Sequence, residues 1–128
     1  MSRNPIYWNP SMNDNIREFL PLSPAILHIL FALAGEDRHG YGIMQEVKRQ
    51  SEGQYRIGPG TLYDNLEKLL SQRLVEEAAS RKRDDDPRRR YYRLTNLGRR
   101  VVTAEIERLE SVFRETKIHL KRRAPRNT

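Results

Sequence analysis

A chain of 128 residues with 37% hydrophobic and 32% charged side chains is sized for one domain with a modest core. It contains no cysteine, which excludes a disulfide framework and a thiolate metal site, and its longest apolar run, residues 29–34, falls far short of the roughly 18 residues that span a bilayer. The net charge of +7, from 24 Lys and Arg against 17 Asp and Glu, makes a polyanion the first partner to consider. The N-terminus has no signal-peptide pattern, so the chain reads as cytoplasmic and without a membrane span. The positive excess is concentrated late: residues 1–58 balance at zero, whereas residues 95–128 hold nine basic and four acidic side chains.

Residues 1–21 read as an N-terminal arm with a short helix. Ile6, Tyr7 and Trp8 bring three bulky apolar side chains together before the Asn9-Pro10 turn signal, and a helix over about residues 13–20 puts Ile16, Phe19 and Leu20 on one face. Such an arm packs on the rest of the domain, or lines a cavity for a small apolar effector with Trp8. Ser23-Pro24 is an N-cap followed by a first-turn proline, after which residues 25–34 are apolar nearly all round with Ile26, Ile29, Leu30 and Leu33 as the buried stripe. His28 has no second ligand one turn further on and is expected to be structural. A second helix starts at His39, with Ile43, Met44 and Val47 inward and Gln45, Glu46, Lys48 and Arg49 outward, and stops near residues 51–53.

Gly58-Pro59 opens a third helix, in which Leu62, Leu66 and Leu69 recur at helical spacing while Thr61, Asp64, Asn65, Lys68 and Ser71 share the other face. Short hydrogen-bonding side chains of this kind suit base edges in a major groove; taken alone they make an ordinary solvated face. Tyr63 sits at the boundary, where its ring can pack while its hydroxyl reaches a phosphate oxygen. Residues 73–78 and 90–94 read as two strands, the second with Tyr92 and Leu94 on one face and Tyr91 and Arg93 on the other. Between them, Arg81-Lys82-Arg83 and Arg88-Arg89-Arg90 flank the acidic tip Asp84-Asp85-Asp86-Pro87. Cations on the edges of a hairpin neutralise phosphates without reading sequence, and the tip either turns away or pairs with the arginines.

Thr95 caps the last helix, which runs to about residue 121. Val102, Ile106, Leu109, Phe113, Thr116 and Leu120 follow the 4-3-4-3-4 spacing of a coiled-coil seam flanked by charges, which favours pairing with a second copy over packing within one chain. The basic end that follows is either a phosphate-binding or a solubilising tail. Catalysis is not expected: His28, His39 and His119 are scattered, no nucleophile elbow or zinc-protease helix occurs, and Gly58-Pro59-Gly60 lacks the lysine and length of a phosphate loop. No metal site and no cofactor is expected either.

Three pieces of the chain occur in a telling order: His39-Gly40-Tyr41, then Pro59-Gly60-Thr61-Leu62-Tyr63, then Arg90-Tyr91-Tyr92-Arg93-Leu94-Thr95 with Gly98. Together, across residues 22–98, they resemble the PadR family of bacterial transcriptional regulators, in its subgroup with a short C-terminal part. The resemblance implies a mainly α (α+β) fold: a winged helix-turn-helix DNA-binding domain over residues 22–94 with a two-stranded wing, a C-terminal dimerisation helix over residues 95–123, and a basic disordered tail at 124–128. It implies a homodimeric, sequence-specific regulator, most simply a repressor, on a pseudo-palindromic operator in double-stranded DNA with half-sites roughly 34 Å apart.

Within that frame, DNA contacts fall to Thr61, Tyr63, Asn65 and Lys68, to His39 and Tyr41 at the start of the preceding helix, and to Arg81, Lys82, Arg83, Arg88, Arg89, Arg90 and Tyr91 of the wing. His39-Gly40-Tyr41 has a second reading, in which it only shapes the turn and packs. Dimer contacts fall to Val102, Ile106, Leu109, Phe113 and Leu120. The sequence departs from the family pattern with Gly42 where an acidic residue is common and Gly58 where serine is common. Multidrug-sensing relatives carry a tryptophan on the last helix; the single Trp here is Trp8, so a drug-stacking mechanism does not transfer. The alternative is a basic, non-catalytic interaction module that binds a partner protein or an anionic membrane surface through its amphipathic last helix.

Overall fold

The computed structural model of the protein describes residues 16–79 and 86–123. Its helices start where the sequence supplies local start signals. Pro24 opens α1 (Pro24–Ala32) after an extended Ser23, and Pro59 opens α3 (Pro59–Ser71) after an extended Gly58, since proline has no N–H to leave unpaired in a first turn. Between them lies α2 (Gly40–Gln50), which ends in a left-handed reversal: Glu52 has φ 53°, Gly53 has φ 80°, and the Gly53 N–H donates to the Lys48 carbonyl at 2.8 Å. The last helix, α4 (Asn96–Arg122), is capped by Thr95, whose hydroxyl accepts from the Gly98 N–H at 2.9 Å and donates to the Arg73 carbonyl at 2.6 Å.

Burial follows the expected stripes. Ile29, Leu30 and Leu33, Ile43 and Val47, and Leu62, Leu66 and Leu69 meet in one core, closed by Leu74, Val75, Tyr92, Leu94 and Val101. Ile16, Phe19 and Leu20 pack against it from the N-terminal side. His28 stacks on Tyr55 with ring centroids 4.2 Å apart, in keeping with a structural role. Trp8, the basic edge Arg81, Lys82 and Arg83 with Asp84 and Asp85, and the tail 124–128 lie outside the described residues. Among the described residues, no helix is long and apolar enough to cross a membrane.

The sheet differs from expectation. Strands β2 (Val75–Ala78) and β3 (Tyr91–Leu94) pair antiparallel as foreseen, but β1 (Arg38–His39) joins the other edge of β3, giving the order β1-β3-β2. A two-residue strand has too little pattern to be read locally; it exists because β3 offers it an edge. This addition corrects the placement of Tyr91. Opposite His39 in the register and edge-on to its ring at 5.2 Å, Tyr91 is buried along with Tyr92, so the two do not divide between a covered and an open face.

Two acids are buried as well. Glu46, read as outward, is covered by β1: the Arg38 guanidinium stands 3.7 Å away while Arg49 clasps the carboxylate at 2.9 and 2.6 Å. Glu105 on α4 is 0% exposed, held by Arg108 at 2.6 and 3.1 Å and accepting the Leu22 N–H at 3.0 Å. The hydrogen bond from Arg49 holds Glu46, and that from Arg108 holds Glu105, below the usual carboxylate range against the opposing effect of burial.

A carboxylate lowered in the folded state adds stability that is complete above the ordinary value of about 4.5 and lost as pH falls below it. Glu105→Gln is therefore expected to lower stability at pH 7 by about 2 kcal/mol, less than a fully enclosed pair because Arg108 is 38% exposed and partly screened. The variant should also lose part of its acid sensitivity below pH 4.5. Urea unfolding at pH 7 and pH 3.5 checks both; equal losses at the two pH values would contradict the ion pair.

Candidate nucleic-acid interface

The motif His39-Gly40-Tyr41 is built around a close approach of two helices. A Cβ at Gly40 would collide with the Tyr63 hydroxyl, so the absence of a side chain there lets α3 lie against the start of α2. His39 caps α2, its Nδ1 accepting the Gly42 N–H at 3.0 Å, and its Nε2 comes within 3.4 Å of the Arg89 guanidinium. A Cβ at position 42 would meet the capping imidazole only at an ordinary contact distance of 3.5 Å, so the cap does not depend on a glycine there. Tyr41 is 63% exposed and Tyr63 is 49% exposed, so both rings stand at the surface beside that junction.

On α3, Thr61, Asp64 and Lys68 share one stripe and are all exposed, while Leu62, Leu66 and Leu69 anchor the helix from behind. Asn65 is half-buried, and its amide nitrogen donates to the Thr61 carbonyl at 2.7 Å, which commits one of its two N–H groups.

The described part of the wing supplies its second arginine run. Asp86 pairs within its own turn: its Oδ1 accepts the Arg88 backbone N–H at 2.9 Å, its carbonyl accepts the Arg89 N–H at 3.0 Å, and its carboxylate meets the Arg88 guanidinium at 3.2 Å. With Pro87 in the second position this is a β-turn, and the acid fixes it. Arg90 stands 3.9 Å from Glu77, and Arg93 pairs with Glu76 at 2.8 Å. Burial, then Tyr63 and Glu77, pushes the Tyr92 phenol up, so it remains a neutral donor beside these arginines. Arg88, Arg89 and Arg90 together with His39, Tyr41 and Tyr63 line a cavity of about 370 Å³. Tyr91, placed by sequence among the outward wing residues, lies behind this surface and not on it.

On α4 the seam divides. Val102 is buried in the chain's own core beside Val101, which corrects its assignment to a subunit contact: the first turns of the helix are already taken by β3 and α1. Farther along, Ile106, Phe113 (56% exposed) and Leu120 (69% exposed) lie open, with Leu109 half-buried. Val112, next to the seam and not singled out from spacing, is exposed with them. Sequence reasoning also missed Arg38, which donates to the Ala32 carbonyl at 2.7 Å and binds Glu46; no local pattern announces a residue whose partners come from two helices.

Comparison with known proteins agrees with this architecture. Residues 26–104 match the transcriptional regulator PadR-like family. Over 89 residues the chain is 40% identical to the transcriptional regulator Rv3488 of Mycobacterium tuberculosis, covering 70% of this chain and 78% of that protein. The structure of H. salinarum RosR superposes with a TM-score of 0.61 at 28% identity, covering 80% of this chain and 91% of that one. A PadR family transcription regulator from Clostridium difficile R20291 shares the fold with a TM-score of 0.64 at 22% identity, over 77% of this chain and 99% of that one. The helix pair joined at Gly40, the sheet behind it and the matched span of sequence converge: this chain belongs to the PadR-like family of transcriptional regulators, a family of regulators and not of enzymes.

Proposed function

We propose that the protein is a homodimeric, sequence-specific DNA-binding repressor, acting in the cytoplasm, with residues 22–94 as its binding unit and residues 95–123 as its dimerisation helix. The observation that carries this reading is a helix α3 anchored by leucines from behind with Thr61, Asp64 and Lys68 exposed, whose Tyr63 lines one cavity with Tyr41 and the arginines 88–90 of the wing base. The α3 face offers donors and acceptors to base edges, and the arginines give up counterion-releasing contacts to phosphates on the flank. Surface pairs such as Arg90 with Glu77 are worth at most about 1 kcal/mol, so they exchange readily for phosphate. Occupancy of a promoter by such a dimer excludes the transcription machinery.

Selection from a library of randomised duplexes tests this. The expected product is a pseudo-palindrome with half-sites roughly one helical turn apart, bound with an affinity that falls steeply with salt. Failure to retain any duplex at low salt would end the proposal. Lys68→Ala is expected to weaken binding to the selected duplex by about 1 to 2 kcal/mol, near tenfold, with the oligomeric state unchanged. Asn65→Ala should cost less, because its amide already serves the Thr61 carbonyl. Fluorescence anisotropy separates the two; a larger loss for Asn65→Ala would reverse the order of the contacts.

A further inference from the structure

Asp64 is an acid on the very stripe that the DNA reading turns toward a polyanion. It lies beyond the first turn of α3, so it neither caps the helix nor complements its N-terminal dipole. It is exposed, and it forms no hydrogen bond or ion pair among the described residues, not even with Lys68 one turn further along the same stripe. Glu46, Glu76 and Asp86, by contrast, are each committed to an arginine. Asp64 therefore ties no part of the fold together, and as a bare carboxylate it opposes phosphate.

Resting on the reading of the α3 face as a DNA surface, we propose that Asp64 selects cytosine: its carboxylate accepts the N4–H that the base turns into the major groove, so each half-site of the operator carries a C·G pair at the position facing it. An ionised carboxylate is an acceptor only. On the groove edge guanine shows acceptors at N7 and O6 and thymine at O4, adenine sets its N7 acceptor beside its amino group, and cytosine alone shows a donor with no acceptor of its own. The aspartate side chain has a single methylene, which holds its oxygens close to the helix and thus near the base edges when the N-terminal turns of α3 enter the groove. A wrong base leaves the charge facing an acceptor without compensation, so the acid lowers affinity for random duplex and sharpens the choice at one position. The same contact makes binding sensitive to alkylation of that amino group. One N4 hydrogen pairs with guanine and the other faces the groove, and a methyl group in place of the second removes the donor that Asp64 needs.

The test combines selection from randomised duplexes with anisotropy on the selected duplex. Wild-type protein is expected to select cytosine in one column of each half-site, and Asp64→Ala to lose that preference, about tenfold, with the other columns kept. Glu67→Ala, which removes another exposed acid from α3, should leave the column as it is. Replacing the selected cytosine by N4-methylcytosine is expected to weaken the wild type about tenfold and to leave Asp64→Ala indifferent, a coupling that a structural role for Asp64 would not produce. Identical columns for wild type and Asp64→Ala, a base other than cytosine in the affected column, or equal weakening of both proteins by the methyl group overturns the assignment while DNA binding itself stands. Wild-type protein that retains no duplex overturns the DNA reading beneath it.

Discussion

Phe113→Asp is expected to yield a monomer that binds the selected operator at least about a hundredfold more weakly than the wild type. Phe113 is 56% exposed on a helix whose second half has left the domain core behind, and Ile106, Val112 and Leu120 lie open on the same projecting segment. Isolated apolar side chains on a surface are ordinary, but four on one projecting helix form a face that a second copy can bury. An aspartate at the centre of that face would have to be desolvated without a partner, which costs more than the pairing returns.

The loss of DNA affinity follows from geometry rather than from contact. Two linked binding units exceed either alone by about 10² to 10⁴ through effective concentration, and the monomer forfeits that factor. Sedimentation velocity reads the assembly and anisotropy reads the affinity. A Phe113→Asp protein that remains dimeric would move the interface elsewhere, and a monomer with undiminished affinity would sever dimerisation from DNA binding.

Gly98→Ala is expected to destabilise the fold by about 1 to 2 kcal/mol net, although alanine is the better helix former. A Cβ at this position would run into the Leu74 carbonyl oxygen, which already accepts the Thr95 N–H at 3.1 Å. The obstacle is backbone and cannot swing aside, so α4 must shift from the strand junction and strain the capping bonds of Thr95. Overpacking of this kind costs about 1 to 3 kcal/mol or more and outweighs the roughly 1 kcal/mol gained in helix propensity. Gly40→Ala meets instead the far end of the Tyr63 side chain, which can yield, and is expected to cost less stability while displacing Tyr63 from the proposed DNA surface. Urea unfolding of the two variants gives the order; Gly98→Ala as stable as the wild type would mean that the close approach to Leu74 is not maintained.

Local signals accounted for the framework. The proline after Ser23, the proline after Gly58 and the threonine before Asn96 mark helix starts in any chain, because capping is decided by residues three or four positions apart. The leucine periodicity of residues 62–69 likewise determined which face of α3 is buried and left Thr61, Asp64 and Lys68 outside. The order of three short motifs was enough to indicate the family.

What the tertiary structure decided was the fate of residues whose partners are remote in the chain. Alternation predicted an open face for Tyr91, but β1, contributed from about fifty positions upstream, covers it. Spacing placed Val102 in the same seam as Phe113, yet one packs into the chain's own core and the other projects, since only the arrangement of α1 and β3 determines where α4 leaves the domain. Glu105, which no local pattern singles out among the charges of the last helix, is a buried tie to the Leu22 backbone, 83 positions away. Periodicity reports which side of an element is apolar; the number of neighbours available to cover that side is set by long-range docking, which no local pattern encodes.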